Sequence, residues 1–218
     1  MSKINEKFQQ SIASIPTIKR LPSYLNLVKR ASDEGITIIS ATNIARELDL
    51  EPIQVRKDLA VTGITGKPRI GYNVKELVQA IESFLNWDKS HKAIVIGAGN
   101  LGTALMNYRE LKNHGLTIVG ASDAHPDKIG TEKNGHIISD IRDLPRIIRE
   151  TGATLAILTV PPDQAQNVTD ILNDTEIRSI WNFTNVKLRV SDHILMLMED
   201  LSSGFAVISF HLPFYRED

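Results

Sequence analysis

The sequence predicts an α/β chain: a small helical domain with a turn-rich hairpin, followed by a doubly wound parallel sheet. Three observations predict it. Residues 93–102 read Ala-Ile-Val-Ile-Gly-Ala-Gly-Asn-Leu-Gly, an apolar strand entering Gly-x-Gly-x-x-Gly and then a helix. From there on, apolar strands alternate with helical stretches, as parallel βαβ units do. Ahead of it lie two short helix-length segments joined by a tight turn, the proportions of a helix-turn-helix.

Composition narrows the classes open to the chain. Its 218 residues are 42% hydrophobic and 23% charged, which suits an ordinary globular protein with one large core or two small ones. No apolar run of about 18 residues suggests a membrane span. Met1 to Gln10 lacks the apolar centre of a signal peptide. With no cysteine, disulfides, iron–sulfur clusters and cysteine zinc sites are excluded. The expectation is a cytoplasmic protein with no membrane and no metal partner. The net charge of −1 hides an asymmetry: residues 1–90 carry 13 Lys and Arg against 10 Asp and Glu, the rest 12 against 16. That modest basic excess permits a nucleic-acid partner.

The front elements follow in order. Residues 1–15 read as a flexible arm, closed by Pro16. From Pro22 to Ser32, Tyr24, Leu25, Leu27, Val28 and Ala31 recur at helical spacing. Ile36 to Ile39 is a short extended piece. Ser40 caps a helix from Ala41 to Leu48. After a short turn, Pro52 opens a helix to about Ala60. Thr62 to Tyr72 has the Gly and Pro rhythm of a hairpin with basic residues near its tip. Asn73 caps a helix from Val74 to about Trp87, and Asp88 to His91 is the linker. The domains expected are thus 16–88 and 89–192, with a tail at 193–218.

In the second domain, strands are expected at 92–96, 117–121, 135–138, 154–160 and 178–183, and helices at 100–113, 143–151 and 163–173. Asp192 to Glu199 is extended. Glu199 to Leu212 then forms an apolar helix stopped by Pro213, with a stripe of Leu201, Phe205, Ile208 and Leu212 widened by Ala206, Val207 and Phe210. So apolar a helix needs cover on several sides, which points to an oligomer element.

The glycine turn marks a dinucleotide site. Gly97, Gly99 and Gly102 let a pyrophosphate approach bare backbone at a helix N-terminus. Ala104, Leu105 and Tyr108 take the inner spacing of the helix that follows. Asp123 closes the second strand, where a carboxylate accepts both ribose hydroxyls and repels a 2′-phosphate, favouring NAD(H) over NADP(H). Thr159, Val160 and Pro161 end a later strand at the same sheet edge, and Asn182 ends the next, facing a nicotinamide. The plainer alternative is that the glycines serve only close strand–helix packing. No histidine pair or metal spacing supplies the acid–base group an oxidoreductase needs.

The helix-turn-helix places Ile44, Ala45, Leu48, Ile53 and Leu59 in a small core. Its second helix then shows Gln54, Arg56 and Lys57 outward, side chains suited to adenine, guanine and phosphate. Ser40 and Thr42 can donate to phosphates, and Lys67 and Arg69 form a basic wing. The alternative is a solvated helix pairing Lys57 with Asp58 and Glu51.

Longer motifs carry a resemblance. Lys19-Arg20-Leu21-Pro22-x-Tyr24-Leu25, Val55-Arg56-Lys57-Asp58-Leu59, Gly66-Lys67, Gly71-Tyr72 and the glycine turn resemble the Rex redox-sensing transcriptional repressors. So do Ala104-Leu105-x-Asn107-Tyr108, Asp123-x-x-Pro126-x-Lys128-Ile129-Gly130, Thr159-Val160-Pro161, Trp181-Asn182-Phe183 and Asp200-Leu201-Ser202. The resemblance spans residues 16–212. It implies an N-terminal winged helix-turn-helix domain, a Rossmann-type doubly wound parallel sheet and a C-terminal domain-swapped helix. It implies a homodimer on palindromic double-stranded DNA operators, released by NADH. NADH and NAD+ are then sensed ligands, not redox reagents, and the chain is not an enzyme. The cofactor set becomes Gly97, Ala98, Gly99, Asn100, Leu101, Gly102, Asp123, Lys128, Thr159, Val160, Pro161 and Asn182. DNA contacts fall to Ser40, Thr42, Gln54, Arg56, Lys57, Lys67 and Arg69. Arg20, Tyr108 and Asp200 resemble the residues that change partners between the two states. The chain departs from the family's common residues at Thr62 (Phe), Arg69 (Gly), His125 (Asp) and Gly204 (Glu). Two rivals from other classes are an NAD-dependent oxidoreductase with an accessory domain and a CoA-binding subunit of a larger enzyme.

Overall fold

The computed structural model describes residues 13–212. The chain divides into two compact units, Met1–Ser90 and His91–Asp218.

In the first unit, α1 (Ile15–Asp33) begins seven residues before the helix expected at Pro22. Two local features start it early: Ser14 accepts a hydrogen bond from the Thr17 amide, and Pro16 sits in the first turn, where its missing N–H leaves no bond unmade. Of the expected arm, residues 1–12 lie outside the described residues. The strand β1 (Ile38–Ile39) is followed by α2 (Ala41–Glu47) and α3 (Pro52–Ala60). Next come β2 (Tyr72–Asn73) and α4 (Val74–Phe84). The strands pair antiparallel, Ile38 with Asn73 and Ile39 with Tyr72. The expected hairpin over 62–72 is instead a loop closed by one bridge, Lys67 to Gly71. Leu21, Tyr24 and Leu25 of α1 pack with Ile44, Val55, Leu59, Leu77 and Ile81 from the other helices. Ile53, expected in this core, is 59% exposed, because Val55 and Leu59 take the inner face of α3.

In the second unit, β3 (His91–Ile96) leads to α5 (Asn100–Asn107) and α6 (Arg109–Asn113). Then come β4 (Leu116–Asp123), β5 (Glu132–Lys133), β6 (His136–Asp140) and α7 (Leu144–Thr151). The chain continues through β7 (Leu155–Leu158), α8 (Pro162–Asn173), β8 (Ser179–Asn182), β9 (Leu195–Met198) and α9 (Ser202–His211). The sheet order is β5-β6-β4-β3-β7-β8-β9, parallel throughout except for β5. Counted from β3 and without β5, that is the 3-2-1-4-5-6 order of doubly wound dinucleotide folds, with its switch point between β3 and β7. The β5–β6 hairpin turns at Asn134-Gly135, both at positive φ, the conformation that an Asn-Gly pair favours in a tight hairpin.

The helix expected over 100–113 is broken. Tyr108 is extended, at φ −77° and ψ 96°, and separates α5 from α6. Of the three residues expected on the inner face, Leu105 packs against the sheet, joined by Gly102 and Met106, whereas Ala104 and Tyr108 are exposed. The helix α9 begins three residues later than its expected start at Glu199, and Pro213 lies outside the described residues. No residue of α9 is buried.

Candidate nucleotide cavity and nucleic-acid face

The glycine turn follows β3 at the switch point. Gly97 holds φ +99°, a conformation that a side chain resists. A Cβ there would also meet the Thr159 carbonyl carbon at 2.8 Å, so β3 and the end of β7 touch through bare backbone. Thr159 fastens the contact, its hydroxyl donating to the carbonyl oxygens of Gly97 at 2.8 Å and Ile96 at 3.1 Å. Gly102 packs as tightly: its Cβ would run into the Gly97 oxygen. Gly99 differs, with no atom within 4 Å of a Cβ. Close packing therefore accounts for two of the three glycines. The third fronts open space at the N-terminus of α5, which no side chain caps.

That space is a cavity of about 690 Å³. Gly97, Gly99, Asp123, Lys128, Thr159, Val160 and Pro161 line it, as do Gln164, Asn167 and Ile171 of α8. Ala98, Asn100, Leu101 and Gly102 do not line it. Nor does Asn182, whose amide holds the loop after β8: Nδ2 donates to the Val186 oxygen, and Oδ1 accepts from the Thr184 amide and hydroxyl.

Asp123 is buried at the end of β4. Its Oδ2 accepts from the Ala98 amide and the Lys128 ammonium, both at 2.8 Å, and its Oδ1 from the His125 amide at 2.9 Å. Burial pushes the carboxyl up, but donation from Lys128, His125 and Ala98 outweighs it and holds Asp123 below the usual carboxylate range.

In the first unit, Ser40, Thr42, Arg56, Lys67 and Arg69 surround one depression of about 410 Å³ between α3 and the wing loop. Arg56, Lys57, Lys67 and Arg69 are exposed. Arg69 stands at φ +62°; the other non-glycine residues at positive φ among the described residues are Asp or Asn. Ser40 is occupied at the start of α2, accepting from the Asn43 amide and donating to the Asn43 side chain. Gln54 is half-buried, and its amide donates to Asp58 Oδ1 at 2.9 Å.

The sequence suggests Asp58 as an exposed partner for Lys57; the structure buries it to 1% exposure. Arg20 grips it from α1 with two donors, Nε at 2.6 Å and Nη2 at 2.9 Å. Tyr24 Oη and Thr17 Oγ1 also donate to it, at 2.7 and 3.0 Å. Burial pushes the Asp58 carboxyl up, but Arg20, Tyr24, Thr17 and Gln54 together hold it below the usual range. Tyr24 is pushed up to about 12, first by burial and then by its bond to Asp58. Of the other expected switch residues, Tyr108 is exposed, and Asp200 accepts from the Ser202 amide and hydroxyl at the start of α9. Among the described residues no helix is long and apolar enough to cross a membrane, and no cluster of His, Asp or Glu is placed to hold a metal.

A family model described as a CoA binding domain matches residues 88–186. One describing a DNA-binding protein N-terminus matches residues 13–60. The redox-sensing transcriptional repressor Rex of Treponema denticola is 49% identical over 200 residues, 92% of this chain and 95% of that protein. Two solved structures of RSP, a Rex-family repressor, share the fold. RSP with NAD+ and operator DNA matches at a TM-score of 0.86 and 31% identity, covering 93% of each chain. RSP with NADH matches at 0.83 and 30%, covering 93% of this chain and 95% of the other.

Proposed function

We propose that this chain, which belongs to the Rex family of redox-sensing transcriptional repressors, holds operator DNA with its first unit and releases it when NADH enters the cavity of its second. The observation that carries this is a pair of built sites in one chain. A basic depression is framed by Arg56, Lys67 and Arg69, and a cavity at the sheet's switch point is fronted by Gly99 and closed by Asp123. Arg56 and Lys57 on α3 address the DNA, and Lys67 and Arg69 of the wing track its backbone.

A second copy of the chain completes the repressor. Leu201, Phe205, Val207, Ile208, Phe210 and Leu212 are each 58–69% exposed, so among the described residues nothing covers α9. An apolar surface of this extent marks an interface. The family resemblance supplies its form, a helix swapped onto the partner. Palindromic operators then match the dimer's twofold axis. The protein works where the chromosome is, in the cytoplasm.

Release follows from differential binding. NADH favours a dimer whose recognition helices no longer fit successive major grooves, and it shifts the balance only by its preference for that state. A switch of about 10–100-fold in DNA affinity needs about 1.4–2.8 kcal/mol of coupling, and DNA must weaken NADH binding by the same factor. The neutral reduced ring enters an apolar seam at lower desolvation cost than the cationic ring of NAD+, so the ratio of the two is read. Nothing in this scheme asks the protein to move a hydride. Arg20, Tyr108 and Asp200 are the side chains whose partners change with the state.

Fluorescence anisotropy on a palindromic operator duplex tests the proposal. Titration with NADH should release the DNA, and NAD+ should leave it bound or compete with NADH. DNA that stays bound through saturating NADH would refute the sensor reading. A preference for CoA over NADH would favour the ligand class named by the family model for residues 88–186.

A further inference from the structure

The outer face of α3 is not wholly polar. Val55, Asp58 and Leu59 turn inward and are buried. Ile53, Arg56, Lys57 and Ala60 are exposed. Their spacing of three and four residues sets them in one stripe on one side of the helix. Ile53 opens that stripe at the N-terminal end and is 59% exposed. A single exposed isoleucine needs no explanation by itself. This one shares its face with the two cations that address the DNA.

Its place in the helix decides what it meets. A recognition helix of this type contacts base edges through its N-terminal residues. Of the first four residues of α3, Pro52 to Val55, only Ile53 is exposed. Its side chain has no donor and no acceptor. Set against a phosphate or a base amide, it would strip water from a polar group and return no hydrogen bond. One group on the floor of the major groove suits it, the C5-methyl of thymine. Burying one methyl group against another is worth about fourfold in affinity.

We propose that Ile53 packs on a thymine methyl group and so fixes a thymine at one position in each half of the operator. This rests on the reading of α3 as the recognition helix. Lys57 and the wing cations attract any duplex through its phosphates, which carry no sequence. Ile53 discriminates among sequences that charge alone holds equally well.

The test pairs a change in the protein with a change in the base. Operator duplexes are enriched by the full wild-type chain from a random palindromic library. Each thymine of the half-site is then replaced in turn by deoxyuridine, which lacks only the methyl group. Fluorescence anisotropy is read for the wild type, Ile53→Ala and Ile53→Leu. In the wild type, one replacement should weaken binding about fourfold per half-site. In Ile53→Ala, whose side chain is too short to reach, the same replacement should cost less than about twofold. Ile53→Leu should restore the penalty. Ile53→Ala should keep the wild-type melting temperature, because Ile53 lies outside the core, and the wild-type slope of log affinity against log salt, because no charge is lost. Wild-type binding indifferent to every replacement, a replacement that costs the wild type and Ile53→Ala equally, or an enriched half-site without thymine overturns the proposal and leaves the repressor reading standing. A wild-type chain that binds no duplex overturns the reading of α3 itself.

Discussion

Removing the Asp58 carboxylate should loosen the first unit more than any exposed charge could. In Asp58→Ala, Arg20 loses both of its bonds to Asp58, and Tyr24 and Thr17 each lose their donor's partner. The guanidinium is 29% exposed and regains some water, so its loss is that of a charge-assisted bond, about 1.5–3 kcal/mol. The Tyr24 hydroxyl is fully buried and has no water to turn to, which adds about 1–3 kcal/mol. The expected total is about 3–5 kcal/mol, the range for breaking a buried pair by removing one partner. That is a large part of the stability of a small domain, about 5–15 kcal/mol. Urea unfolding followed by circular dichroism, with NADH at about 100 times its dissociation constant, raises the second unit by about 2.7 kcal/mol and separates the two transitions. Only the first transition should move. A shift of less than about 1 kcal/mol would refute the view that Asp58 organises this unit. The pH dependence has a definite sign. Asp58 is held below its unfolded value, so its contribution is present above about pH 4 and is lost as pH falls through the folded pKa. Asp58→Asn should flatten that acid limb. Tyr24 is raised to about 12, so its contribution is complete below about pH 10 and is lost as pH rises through 12.

Other outcomes follow from the same geometry. Arg56→Ala should abolish operator binding in an anisotropy titration and leave NADH binding intact; near-normal operator affinity would move the recognition face elsewhere. Arg69→Gly should raise stability by about 0.5–1 kcal/mol by relieving a left-handed residue, net of the entropy glycine brings to the unfolded chain. The same change should lower the slope of log affinity against log salt by about 0.9 for each Arg69 on the DNA. An unchanged slope would show that Arg69 touches no phosphate. Gly99→Ala should fold normally, because its Cβ meets nothing, and should weaken NADH binding at least about tenfold. Gly97→Ala should instead lower the melting temperature, since its Cβ meets Thr159 backbone at a strained φ. If both variants behave alike, the division of the glycines between packing and ligand approach is wrong.

The parts legible in the sequence were those set by local pattern. The strand–glycine–helix signal placed β3 and α5, and proline and serine punctuation placed α2 and α3 within a residue. What stayed hidden depends on partners far along the chain. Asp58 sits next to Lys57 and invites a local pairing, but its partner Arg20 lies 38 residues away. Gln54 looks like a free polar side chain on an outer face until Asp58 is placed beneath it. Gln164 and Asn167 line the cavity, yet on a helix such residues read as a solvated face. Asn182 ends a strand at the right edge, but its amide is consumed by a loop that no periodicity announces. The break at Tyr108 carries no Pro or Gly to mark it.

Chains break local rules chiefly where something outside the rule compensates. Asp58 breaks one by burying a carboxylate, and the compensation lies within the first unit: four side chains donate to it. Three other breaches have no such completion among the described residues. Arg69 occupies a left-handed conformation with its charge in solvent. Gly99 gives up chain order to open a space that no side chain fills. The helix α9 exposes four large apolar side chains, Phe205, Val207, Ile208 and Phe210, and Leu201 and Leu212 flank it. Each is unfavourable for an isolated protomer, and each is relieved by a different partner under the proposed function: a phosphate backbone for Arg69, a dinucleotide for Gly99 and a second copy for α9. A stand-alone oxidoreductase would account for the second alone. That all three occur in one chain is the physical argument for a DNA-bound, dimeric sensor. It also sets an order for the tests, since a chain that stays monomeric at micromolar concentration would remove the compensation for α9 and with it the twofold match to a palindrome.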